Sequence, residues 1–247
     1  MNHAEHCDAL DLEVERFAVA MSLVSGDTIV ETCPGWTVDD AASHLGTIHR
    51  WAEELVRTRS TVRIPRSAPS LDEVSVSPEW IRQGGQQLVE TLRAADPNDE
   101  MWAWGLDQHV RFWSRRQVHE TLVHRMDVEI AGRIEPTADH GLASDAIDEF
   151  LNNIQKVTNA SAESPLYGNG ERLVYRASDS KAVWSITLRV GGFDLVPAMG
   201  DYDTLVEGPS VELLLVIVGR RSIHDASLDV TGDATLADFW LANSAFG

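Results

Sequence analysis

The chain has little of what several protein classes require. Of its 247 residues only Cys7 and Cys33 are cysteines, too few for a disulfide scaffold or an all-thiolate metal site. Basic residues are scarce: 20 Lys and Arg stand against 39 Asp and Glu, a formal charge of −19. A nucleic-acid binder needs cations to displace phosphate counterions, and docking on anionic lipid needs them too, so neither partner is expected. Long apolar runs are also missing. The longest, residues 211–218, is broken by Glu212 and falls well short of the ~18 residues that suggest a membrane span. The first residues show neither a basic stretch nor an apolar one, so no signal peptide is expected and a cytoplasmic location with free thiols is. There is no Gly-x-Ser-x-Gly elbow and no Gly-rich phosphate loop.

What is present is a 43% apolar chain, enough for the core of one large domain or two modest ones. Its two halves differ in period. Residues 8–24 carry Leu10, Val14, Phe17, Ala18 and Met21 near a 3.6 repeat. After the turn Cys33-Pro34-Gly35-Trp36, Thr37 with Asp40 predicts a capping box and a helix to about Arg57. A Pro/Ser-rich loop over 60–78 leads to a helix over 79–95 with Pro78 in its first turn. Gly84-Gly85 inside it should cost roughly 1 kcal/mol each relative to Ala. Ser114 with Gln117 predicts a second capping box, opening a helix to about Ala131 that Gly132 closes. A last helix is expected over 144–157.

From about Glu171 short β runs take over, at 173–175, 183–190, 193–196 and 227–230, with Gly191-Gly192 as a hairpin turn. Residues 211–218 fit a buried strand or a helix, and the preceding Gly208-Pro209-Ser210 favours a helix start. Residues 233–241 form a short terminal helix. The small-residue stretch 160–165 predicts a boundary between a helical domain, 1–160, and an α/β domain, 161–247.

Chemistry-bearing residues sit on two of the helices. His44 shares a stripe with Ile48, Trp51 and Leu55 and so faces the core. Glu120 and His124 lie four apart, on one helix face, with Cβ atoms ~6 Å apart, so both can reach one ion at about 2.0–2.2 Å. Asp127 continues that face. Polar groups facing a bundle interior cost roughly 1–3 kcal/mol each unless paired. A shared divalent cation satisfies them, and bundles build metal sites this way. Taken singly, each motif also fits an ordinary role: Glu120–His124 an exposed pair, His44 a hydrogen-bonded core histidine, Cys33 a small turn residue. His49, five residues past His44, is rotated off the ligand direction by roughly 140°, onto a site wall or the surface.

Three blocks then coincide. Cys33-Pro34-Gly35-Trp36-Thr37-Val38 with Ser43-His44-Leu45-Gly46 comes first, and the segment from Trp113 through Glu120 and His124 to Asp127 second. The third is Val206-Glu207-Gly208-Pro209-Ser210 followed by Leu213-Leu214-Leu215, Gly219-Arg220-Arg221 and Val230-Thr231-Gly232-Asp233. In this order they resemble the mycothiol-dependent maleylpyruvate isomerase family, a branch of the DinB/YfiT-like metalloproteins, over nearly the whole chain. The resemblance implies an α+β protein: an N-terminal DinB-like four-helix bundle with a smaller C-terminal sterol-carrier-like α/β domain. It implies His44, Glu120 and His124 as ligands of a divalent metal, usually zinc, with nickel or another divalent ion as alternatives. The position left open would take a thiol, mycothiol by family, as a metal-bound thiolate. Arg220, or its neighbour Arg221, would hold an anionic group of the electrophilic substrate, and His49 or His119 would shuttle a proton.

The implied function is thus a metal- and mycothiol-dependent thiol transferase or isomerase whose partners are a small-molecule thiol and an electrophile. The alternative is a non-catalytic metal-binding protein whose C-terminal domain binds a ligand or partner. Hydrolysis with Glu120 as base conflicts with Glu120 being a ligand. The chain is expected as monomer or homodimer, and the Trp-rich segment 102–113 as a dimer surface or the cover of the bundle.

Overall fold

The structure is a computed structural model that describes residues 1–66, 76–160, 165–196 and 198–244. Its first unit, Met1–Thr137, is built from α1 (His3–Leu23), α2 (Val38–Thr58), α3 (Pro78–Ala94) and α4 (Val110–Ala131). Local chemistry starts most of them. Asn2 and Glu5 form a capping box at α1. Thr37 and Asp40 form the predicted one at α2. Ser77 caps α3, with Pro78 in its first turn, where a missing N–H costs nothing.

At α4 the expectation fails. The helix begins at Val110, its N-cap His109 makes no side-chain capping bond, and Ser114 lies inside the helix, fully buried. The Ser114 hydroxyl donates to the Arg111 carbonyl at 3.0 Å and meets His3 Nδ1 at 2.8 Å. The extra turn buries Val110, Phe112 and Trp113. That gain, roughly 1.5–3 kcal/mol per large side chain, exceeds a cap worth about 1 kcal/mol.

The bundle core is built from apolar residues of all four helices: Val14 and Phe17 of α1, Leu45 and Leu55 of α2, Leu88 and Leu92 of α3, Val118 and Leu122 of α4. Gly84 and Gly85 are explained by close approach. A Cβ at Gly84 would lie 2.4 Å from Arg50 Nη1, and one at Gly85 2.5 Å from Val14 Cγ1. The Trp-rich segment covers the bundle. Trp113 is fully buried, edge-on to Trp51, and its indole N–H donates to the Trp102 carbonyl at 3.0 Å.

The second unit, Ala138–Gly247, contains α5 (His140–Ala160), β1 (Arg172–Ala177), β2 (Val183–Arg189), β3 (Gly192–Val196), β4 (Thr204–Gly208), α6 (Ser210–Ile217), β5 (Asp229–Gly232) and α7 (Ala234–Asn243). The sheet order is β3-β2-β1-β4-β5, with β1 and β4 parallel and the other neighbours antiparallel. Register puts Leu173, Tyr175, Trp184, Ile186, Val206 and Phe193 on one buried face. Gly191, at φ 79°, makes the β2–β3 hairpin. Asp179 accepts the Ser210 N–H at 3.0 Å and its hydroxyl at 2.6 Å, so the ambiguous run 211–218 is a helix.

The division of the chain falls between Thr137 and Ala138 rather than near residue 160. Helix α5 packs on α6 and β3: the Trp184 indole donates to Asp148 at 2.6 Å, and Asn159 Nδ2 to the Phe193 carbonyl at 3.1 Å. Most of the expected linker at 160–165 and residues 67–75 of the expected loop lie outside the described residues. Among the described residues neither cysteine is in a disulfide, and no helix is long and apolar enough to cross a membrane.

One buried ion network ties α1 to α4. Arg125, fully buried, donates to Glu13 at 2.6 Å, to Glu129 at 2.5 Å and to the Thr137 carbonyl at 2.7 Å. Arg125→Ala removes a buried guanidinium from Glu13, which keeps its bond from Arg16 at 3.0 Å, so urea denaturation should show a loss of about 1.5–3 kcal/mol. Arg82→Ala, which removes an exposed pair with Glu15, should cost less than about 1 kcal/mol.

Candidate metal centre

The site is assembled where α2 meets α4. The Cys33-Pro34-Gly35-Trp36 turn is closed by the Trp36 N–H donating to the Cys33 carbonyl at 3.0 Å, with Gly35 at φ 85°. Pro then Gly at the central positions is what a type II turn demands. The turn delivers Trp36 to the start of α2, two turns before His44. Helix α4 supplies Glu120 and His124 on one face.

The three residues meet. Their ligand atoms lie within 4.8 Å of one another. His44 Nε2 is 3.2 Å from Glu120 Oε1, and His124 Nε2 is 3.5 Å from the same oxygen. A tetrahedral ion with bonds of about 2.1 Å separates its ligands by roughly 3.4 Å, so the observed spacings fit the edges of such a site. The donor set, two imidazoles and one carboxylate, is of the catalytic zinc type. Side-chain exposures of 29% for His44, 22% for Glu120 and 10% for His124 leave one side reachable from solvent.

Neighbouring groups orient each ligand. Arg116 donates to Glu120 Oε2 at 2.6 Å, leaving Oε1 for the imidazoles. Trp36 lies 4.9 Å from the His44 ring and stacks at 5.9 Å and 24° over His124. Neither role was foreseen, although the i,i+4 spacing of Arg116 and Glu120 signals their pairing. Asp127 departs from its expected place: it sits 2.9 Å from Nδ1 of His124, the opposite ring nitrogen. With Cys33 and His124 it forms a second group of ligand-type atoms within 4.8 Å.

Electrostatics follow from these contacts. Burial alone pushes the Glu120 carboxyl up, but the Arg116 guanidinium and the His124 and His44 hydrogen bonds outweigh it and hold the group well below the usual carboxylate range. Burial pulls His124 down, yet its bonds to Asp127, Cys33 and Glu120 outweigh it and raise the imidazole well above its usual range.

His49 is fully buried, with Nε2 2.9 Å from Thr121 Oγ1. The Thr121 hydroxyl donates to the Gln117 carbonyl at 2.7 Å, so His49 Nε2 is the donor to Thr121. Burial, with the Arg50 charge beside it, pushes its pKa down to about 3. A neutral, enclosed imidazole is a poor proton shuttle. His119 packs edge-on against His6 of α1. Arg220 belongs to the second unit and donates to the Val218 carbonyl at 2.8 Å; Arg221 is paired with Glu212 at 2.5 Å.

A buried neutral histidine has a pH signature. Its folded pKa, about 3, lies below the ordinary 6.5, so its contribution to stability is intact above that value and is lost as pH falls towards 3. The slope approaches about 1.4 kcal/mol per pH unit. Urea midpoints of metal-free protein between neutral and mildly acidic pH should therefore fall less steeply in His49→Gln than in the wild type. Parallel decline would remove the assignment.

Residues 9–129 match the mycothiol maleylpyruvate isomerase N-terminal domain, and residues 141–239 match the C-terminal domain of the same family. A crystal structure of the mycothiol-dependent maleylpyruvate isomerase superposes with a TM-score of 0.59 at 15% identity, covering 93% of each chain. A histidine-to-alanine mutant of that isomerase gives 0.57 at 16% identity, again over 93% of each chain. At such identities the likeness speaks for the fold. No curated protein matches the sequence significantly.

Proposed function

Because the chain belongs to the mycothiol maleylpyruvate isomerase family, we propose that it is a divalent-metal- and mycothiol-dependent enzyme, an isomerase or thiol transferase acting on a small electrophile. The observation that carries this reading is the meeting of His44, Glu120 and His124 from two helices. A divalent ion held by His44, Glu120 and His124, zinc by its donor set, would supply Lewis acidity there, lowering the pKa of a thiol from its ordinary ~8.5 so that the thiolate, its proton released to solvent, could add to an activated carbon.

The chain's own residues do the rest. Glu120 presents one oxygen to the shared position, because Arg116 holds the other. His44 and His124 present Nε2. Trp36 packs against both rings, tilted to His44 and stacked on His124. For an electrophile bearing a carboxylate, Arg220 is the proposed anchor, since a guanidinium makes two parallel hydrogen bonds to such a group. Arg221, paired with Glu212, is the alternative. His49 is assigned to hold α4 through Thr121, and the thiol proton is assigned to solvent.

Purified protein should carry one divalent ion per chain and consume mycothiol in the presence of a bimane electrophile. His44→Ala should lose both properties. Retained metal with the thiol untouched across several electrophiles would point to a non-catalytic metal-binding protein instead. Arg220→Ala should raise KM for a carboxylate-bearing electrophile about tenfold or more, the effect of losing a charged hydrogen bond worth ~1.5–3 kcal/mol. It should leave an uncharged electrophile unaffected, and equal effects on both would exclude the anchoring role.

A further inference from the structure

Asp127 is fully buried beside the metal centre and none of the roles above uses it. A buried carboxylate is costly unless donors surround it, and the structure supplies them. Thr32 Oγ1 donates to Oδ1 at 2.6 Å, Cys33 Sγ to Oδ2 at 3.4 Å, and His124 Nδ1 lies 2.9 Å from Oδ2. An ionised carboxylate only accepts hydrogen bonds, so the ring nitrogen facing it carries the hydrogen. The lone pair of the neutral ring is then on Nε2, the nitrogen that faces Glu120 Oε1 at 3.5 Å.

Thr32 and Cys33 lead directly into the turn that presents Trp36 to the His44 and His124 rings. One carboxylate therefore ties together the turn, the aromatic wall and the ligand ring. We infer that Asp127, braced by Thr32, is a positioning residue that fixes His124 as the Nδ1–H tautomer and so aims Nε2 at the site shared with His44 and Glu120. This rests on the metal reading proposed above. A partner on the far nitrogen of a ligating histidine also raises the basicity of the ligand.

The same atoms offer a competing arrangement, since Cys33, His124 and Asp127 lie within 4.8 Å of one another and include metal-ligand types. A cation there would need the Nδ1 hydrogen removed. The contacts are those of a hydrogen-bonded carboxylate with three donors, which favours positioning over a second ion.

The test uses the full-length protein stripped of metal and titrated with zinc and with cobalt(II), whose visible spectrum reports ligand geometry. Wild type should bind one ion. Asp127→Asn should weaken zinc binding about 10–100-fold and alter the cobalt spectrum in protein that remains folded. Thr32→Val should lose several-fold, and it serves as the deciding variant where Asp127→Asn fails to fold. Wild-type affinity and spectrum in Asp127→Asn, or in Thr32→Val when that variant decides, overturns the positioning role and leaves the metal reading intact. Two ions in the wild type, one of them lost in Cys33→Ser, overturns it in favour of the second cation. A wild type that binds neither ion overturns the metal reading, and this inference with it.

Discussion

Glu120 Oε1 lies between two imidazole nitrogens, 3.2 Å from that of His44 and 3.5 Å from that of His124. Three polar groups at a helix interface are unfavourable there unless something offsets their lost hydration. In the metal-free protein the bonds of His124 to Asp127, Cys33 and Glu120 outweigh its burial and favour its charged form. The proposed divalent ion would satisfy the same three atoms at once. The geometry that permits this depends on the rotation of α4 about its own axis. His124 faces α2, and the next residue, Arg125, is buried against Glu13 of α1. Turning the helix to withdraw His124 would strip a buried guanidinium of its partners. The ion network behind the helix therefore holds the ligand face in place, while Asp127 and Arg116 fix the individual side chains.

Much of this was legible because it is local. The i,i+4 spacing of Glu120 and His124, the Thr37–Asp40 box and the Pro-Gly turn before Trp36 are all set by residues a few positions apart. The stripe that turns His44 inward needs only the helical period. What the sequence could not settle depends on partners distant along the chain. The Ser114 cap gave way to burial of Val110, Phe112 and Trp113, a tertiary gain that outweighs a local bond. The period of α5 was readable, but not which layer it would join, so the boundary was expected too far along. Strand β4 is five residues long with Glu207 half-buried, and it was read only as part of a motif block. Asp127 shares the ligand stripe at seven residues from Glu120, yet its three-residue offset from His124 sends it to the other ring nitrogen. His49 does stand off the trio, but against Thr121 in the core rather than at the surface.

The architecture separates two tasks. The helical unit carries the three candidate ligands on helices, their polar side chains locked by neighbours, which would suit the proposed site with one coordination position open. The second unit, a five-stranded sheet with its helices, carries Arg220 and Arg221 in the short segment after α6.

The central claim is that an imidazole from α2 and a carboxylate and imidazole from α4 share one cation with a vacant corner. X-ray absorption at the zinc edge of the loaded protein addresses it directly. Before thiol is added the shell should contain nitrogen and oxygen alone, and mycothiol should then introduce one sulfur at about 2.3 Å. Sulfur already present before the thiol would place Cys33 on the ion, and a shell unchanged by the thiol would contradict the open corner.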